Sequence, residues 1–211
     1  MGDAHQNAVV VGGTAAALYA DHRLSTDHDQ VVADLADRFE MVLGALEGDD
    51  GWATNRVTPG KVILGNLDGI ESGIRQMIRT VPLETATLRL PSGALLTVPT
   101  ADETLRIKAF LVVRRNQTRD YLDVAALADR AAISHAAEVL VHLDAFYADQ
   151  VMSPDGVSSQ LARQLADPRP VDRAVIHQLD RYKRLSRRWT EWAEVVRVCR
   201  SLAAAMTEVA S

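Results

Sequence analysis

Along the first hundred residues, apolar positions come in short runs cut by glycine, proline and acidic clusters. The run AVVV at 8–11 predicts a short buried strand that stops at Gly12-Gly13, and TAAALYA from Thr14 predicts a helix. DHDQVV from Asp27 returns to β character. Leu35, Phe39, Val42, Leu43 and Leu46 then recur at helical spacing until EGDDG ends the run. KVILGNL from Lys61 predicts another strand, and ETATLRL from Glu84 with LLTVPT from Leu95 predicts a hairpin around Pro91-Ser92-Gly93.

From Asp102 onward the period-two signal disappears, and six segments carry helical spacing. They begin at DETLRIKAFLVVRR and end at PVDRAVIHQLDRYKRL and TEWAEVVRVCRSLAAAMTEVA. The expected fold class is therefore α+β, with a small mixed sheet in residues 1–100 and a helical bundle in residues 101–211. No internal repeat or low-complexity linker interrupts it.

Composition adds limits. A chain of 211 residues, 47% hydrophobic and 24% charged, can bury an ordinary core. No run reaches the roughly 18–20 apolar residues of a membrane helix, and MGDAHQ lacks the features of a secretory signal, so a cytoplasmic protein with no membrane partner is expected. The single cysteine, Cys199, reads as a packing residue. The net charge of −5 is uneven: residues 1–50 hold ten Asp or Glu against two Arg, while residues 181–200 hold seven Lys or Arg against two Glu. Intramolecular charge balance and a phosphate-contacting surface both explain that basic tail.

Two carboxylates stand out. Asp27 and Asp29 lie two apart on the predicted strand, which aims both at one face, where they repel unless a cation lies between them. Mg²⁺, or Mn²⁺, takes such a pair together with ligand phosphates. A capped turn with a solvated aspartate is the plain alternative. Beside them, Gly12 and Gly13 let backbone approach a ligand, and a helix opening at Thr14 turns its free N–H groups toward an anion. A dinucleotide fingerprint would need a third glycine where Ala15-Ala16-Ala17 stand.

The stretch GGT, Arg23, Ser25 and DHD resembles the glycine, hydroxyl and Asp-x-Asp signature of polymerase-β-like nucleotidyltransferases. LRIKAFLVVRRNQTRDYLDVAAL narrows the likeness to the AbiEii/AbiGii-type nucleotidyltransferase toxins, the MenT-like group. The resemblance covers residues 9–32 and 105–127. It implies a nucleotidyltransferase core completed by the helical half, with Gly12, Gly13, Thr14, Ser25 and Lys108 at the nucleotide. It also implies metal on Asp27 and Asp29, and Asp27, Lys108 and Asp123 as the catalytic set. The implied activity is a Mg²⁺-dependent transfer of a nucleoside monophosphate from an NTP, a pyrimidine, to the 3′ end of tRNA. That would block aminoacylation and imply tRNA and a cognate antitoxin as partners. Phosphorylation of Ser25 or Thr26 would place negative charge beside Asp27 and is expected to repel a triphosphate. Rival readings are transfer to a small molecule or protein, and a catalytically silent nucleotide-binding module.

Each residue also has a structural reading. Lys108 is one of three lysines among 23 basic residues and on a helical wheel falls between Leu111 and Val112, inside an apolar segment, so it needs either a ligand or a carboxylate partner. Asp120 could cap a helix, and Asp123 suits a first turn. Arg114, Arg115 and Arg119 lie nearby as phosphate contacts or solvated arginines. His28 faces away from the two aspartates, and Trp189 and Trp192 suit helix packing or base stacking. The third carboxylate of the resembled site has only Asp68 and Glu84 as candidates, without a motif to support either.

Overall fold

The computed structural model describes residues 8–90, 92–150 and 154–211. The MGDAHQ stretch, expected not to be a secretory signal, and the Pro91 corner of the hairpin lie outside the described residues. The chain divides into two compact units: residues 1–15 with 25–100, and residues 16–24 with 101–211.

The first unit is built on a five-stranded mixed sheet. Its strands are β1 (Val9–Val10), β2 (His28–Val32), β3 (Trp52–Thr58), β4 (Val62–Leu67) and β5 (Ile70–Gln76), in the order β1-β2-β5-β4-β3. Only β2 and β5 run parallel; the other neighbours are antiparallel. A separate antiparallel pair joins β6 (Thr85–Arg89) to β7 (Leu95–Pro99), as the sequence predicts. Helix α1 (Gly12–Ala20) follows β1 directly. It starts two residues before the expected Thr14, because Gly12 takes a left-handed φ of 75° that turns the chain straight out of the strand.

Helix α2 (Leu35–Glu47) presents Leu35, Phe39 and Val42 on one stripe, and these pack with Val32, Ile63 and Ile74 of the sheet to form the unit's core. Strands β3 and β5 escape the sequence pattern. WATNRVT leaves residues 53–57 exposed, and IESGIRQ mixes charges and a glycine into the run, so neither shows an apolar stretch. They are strands because they pair with the two sides of β4, whose Ile63 is fully buried.

The second unit is helical: α3 (Ala101–Arg115), α4 (Thr118–Ala131), α5 (Ile133–Val141), α6 (Leu143–Tyr147), α7 (Gly156–Ala166) and α8 (Trp192–Val209). Every residue from Tyr121 to Ala128 is buried, Asp123 among them, so α4 sits centrally in this unit. Leu140, Leu161, Leu165, Cys199 and Leu202 fill the same core. Burial pushes the Cys199 thiol up to about 12, which makes it a packing group. The helix expected from PVDRAVIHQLDRYKRL is instead a 3₁₀ segment, Arg173–Arg181, broken at Gln178 with φ −130°. Only Leu179 of that segment is fully buried, too small an apolar face to hold a long α-helix. Among the described residues no helix is long and apolar enough to cross a membrane.

Candidate functional site

Two polar clusters carry the residues singled out from the sequence, one in each unit. In the first unit, the strand-turn-helix passage from β1 into α1 lies against β2. The Val11 N–H donates to the Asp29 carbonyl at 2.9 Å, and Thr14 Oγ1 donates to the Asp27 carbonyl at 2.7 Å. These bonds lock the Gly12-Gly13-Thr14 turn onto the aspartate segment. Asp29 is inside β2, whereas Asp27 precedes the strand and is exposed, so strand alternation alone does not align the pair. Arg75 Nε on β5 donates to Asp29 Oδ1 at 3.3 Å in a half-exposed ion pair. Ser25 is half-buried, and the exposed Thr26 hydroxyl reaches Asp27 Oδ1 at 3.4 Å. His28 bonds Gln30 at 2.8 Å, on the side of β2 away from Asp29.

Two carboxylates with this exposure suit a divalent cation held by one or two protein oxygens and completed by water or an anionic ligand. A closed protein cage is a poorer fit: among the described residues no group of three or more His, Cys, Asp or Glu could enclose a metal. Asp68 lies in the β4–β5 turn, and the exposed Glu84 immediately precedes β6. The structure gathers neither into such a group.

In the second unit, Asp123 on α4 is wholly buried and gathers three partners. Lys108 Nζ on α3 lies 2.7 Å from Oδ2, His22 Nε2 lies 2.7 Å from Oδ1, and the Arg23 guanidinium donates to both oxygens at 3.0 and 3.1 Å. Burial by itself would raise this carboxyl; the Lys108 ammonium, the His22 hydrogen bond and the Arg23 guanidinium outweigh it and hold the group well below the usual carboxylate range. The segment bearing His22 and Arg23 is pinned by its backbone. The Leu24 N–H donates to the Lys183 carbonyl at 2.8 Å, and the Ser186 N–H donates to the His22 carbonyl at 2.9 Å. Arg23 also lies over the Tyr182 ring at 5.7 Å.

Lys108 thus has the carboxylate partner that its apolar setting requires, with 2% of its side chain exposed. His22 and Arg23 as partners of Asp123 were illegible beforehand, because 101 and 100 residues separate them and no local pattern links them. Asp120 takes Arg115 in a two-pronged pair at 2.6 Å, and Asp172 fills the capping place beside α4. Arg119 is exposed. Trp189 is buried and Trp192 meets Tyr121 edge-on at 6.1 Å, so both indoles pack inside this unit. In the basic tail, Arg188 pairs with Asp129 at 2.7 Å and with Glu194, and Arg197 pairs with Glu194, which favours intramolecular charge balance there.

No protein-family model matches the chain. Over 132 residues, 63% of its length, it is 39% identical to the "Probable transport protein MmpL11" of Mycobacterium leprae and to the "Heme uptake protein MmpL11" of Mycobacterium tuberculosis. It is 37% identical to the "Mycolic acid-containing lipids exporter MmpL11" of Mycolicibacterium smegmatis over the same length. The match covers only 12–13% of those much longer proteins.

These relatives correct the expectation of a nucleotidyltransferase toxin. They are named for transport, heme uptake and lipid export, so the toxin-family assignment, the enzymatic transfer of a nucleotide to tRNA and the block of translation are set aside. The tRNA and antitoxin partners lose their support with them. Physically, the likeness rested on short polar motifs. Of these, Lys108 and Asp123 form a mutual buried ion pair, an arrangement any fold needs when it buries a lysine.

Proposed function

We propose that this chain works in an MmpL11-type transport process. Within it, the Gly12-Gly13-Thr14 turn with Asp27 and Asp29 binds a divalent cation, Mg²⁺ or Mn²⁺, and through it an anionic group of a ligand. The observation that carries the transport reading is the 39% identity over 132 residues to proteins named for transport. The cation reading is supported by two carboxylates of suitable exposure beside a turn whose backbone is locked onto them. A bound cation would supply positive charge that two aspartates alone cannot, and the turn's N–H groups would add further donors for the anion.

The test is genetic and chemical. The gene is removed from its own cell, and heme uptake and export of mycolic-acid-containing lipids are both measured, with wild-type and Asp29→Asn chains returned in parallel. Loss of either flux, restored by the wild-type chain, is the expected result. Unchanged fluxes in the deleted strain overturn the transport reading. A fully active Asp29→Asn chain overturns the part given to the cation.

A further inference from the structure

Asp29 is flanked by two glycines whose missing Cβ atoms would meet its carboxylate. In the parallel ladder between β2 and β5, Asp29 is the direct register partner of Gly73. A Cβ on Gly73 would lie 2.5 Å from Asp29 Oδ1 and 3.0 Å from the Leu64 side chain. A Cβ on Gly12 would lie 3.1 Å from Asp29 Oδ2. The carboxylate therefore rests with one oxygen over each glycine, in space that any larger residue would occupy. Sequence reading identified Gly12 through its motif; Gly73 sits in IESGIRQ, without one.

We infer that Gly73 is a positioning residue for the cation site, acting through Asp29. It forms with Gly12 a cradle that fixes the carboxylate's orientation, and this rests on the cation reading above. The Arg75 contact cannot do this alone, since a 3.3 Å pair with the arginine side chain 46% exposed is screened by water. The two glycines differ in kind. Gly12 has φ 75°, so any substitution there also strains the backbone, whereas Gly73 has an ordinary strand conformation in which alanine is free of that strain. A methyl at Gly73 meets chiefly the mobile end of the Asp29 side chain, so the chain can fold around it by swinging the carboxylate aside. What is lost is the ligand's placement, and partners that orient a metal ligand typically govern affinity by about 10–100-fold.

Mn²⁺ binding to the full chain, followed by electron paramagnetic resonance, tests the cradle. The series is wild type, Gly73→Ala, Asp29→Asn, the double variant, and Gly44→Ala as a control in open space on α2. The expected results are saturable binding by wild type and Gly44→Ala, binding weakened about tenfold or more in Gly73→Ala, and binding lost in Asp29→Asn. Adding Gly73→Ala to Asp29→Asn should change nothing further, and the metal-free Tm of Gly73→Ala should match wild type. Absence of saturable Mn²⁺ binding in wild type, or wild-type binding in Asp29→Asn, overturns the cation site itself. Binding by wild type and its loss in Asp29→Asn, with Gly73→Ala equal to wild type, overturns the cradle alone. If Gly73→Ala lowers the metal-free Tm, Leu64→Ala is added to remove the other atom the methyl meets. Recovered folding with Mn²⁺ binding still weak supports the cradle, and recovered folding with wild-type binding overturns it.

Discussion

Asp123 shows how one residue acquires meaning from its surroundings. A carboxylate with no solvent exposure costs several kcal/mol to bury and is tolerated because Lys108, His22 and Arg23 converge on it. Replacing it with alanine leaves the Lys108 ammonium buried without its partner. Asp123→Ala is therefore expected to destabilise the chain by about 3–5 kcal/mol, read as a lower urea midpoint. The pH dependence follows from the same contacts. The folded carboxyl titrates below its unfolded value of about 3.9, so its contribution is fully present above that pH and is lost as pH falls through the folded value. Stability measured from pH 6 down to pH 2 should fall less steeply in Asp123→Asn than in wild type. An unchanged acid limb would show that Asp123 is not linked to folding. The residue types here were visible in the sequence, but not their partners. Lysine in an apolar segment announces a need for an opposite charge without saying which aspartate supplies it.

Among the secondary elements, α4 is the clearest case of a helix completed from a distance. Its N-terminal flank, Gln117, makes no side-chain cap. Asp172, 54 residues later, accepts from the Thr118 N–H at 2.7 Å and from its hydroxyl at 2.8 Å. Asp172→Ala is expected to cost about 0.5–2 kcal/mol, the usual range for a lost N-cap, and Asp172→Asn should recover part of it; thermal unfolding of the three chains checks this. Helices α2, α3, α4 and α8 were legible because their apolar stripes or runs repeat over three turns or more. β3 was not, since an edge strand with residues 53–57 exposed has no face to bury and is defined by its ladder to β4. The segment 173–181 reads as helical by period, yet with one fully buried residue it settles into 3₁₀ turns.

Across the whole molecule, the two units have cores of very different depth. The second unit buries Leu122, Leu140, Leu161, Leu165 and Leu202 completely, while the first relies on a smaller cluster around Leu35, Phe39, Ile63 and Ile74. Amide exchange is expected to be slowest in α4, α5 and α8 and fastest among the strands in β3; comparable protection in β3 and α4 would contradict this ranking. What the sequence by itself determined was the change of regime near residue 100: glycine-cut apolar runs before it and sustained helical period after it make α+β the only consistent class. It also singled out the Gly12-Gly13-Thr14 turn with Asp27 and Asp29, because hairpins, turns and helices are coded by neighbours a few residues apart. Tertiary structure decided which side chains meet. It paired Lys108 with Asp123 across 15 residues, brought His22 and Arg23 to the same carboxylate from 100 residues away, and set Gly73 under Asp29 across a parallel ladder. Those contacts join distant parts of the chain, and only closing the fold around its cores could bring them together.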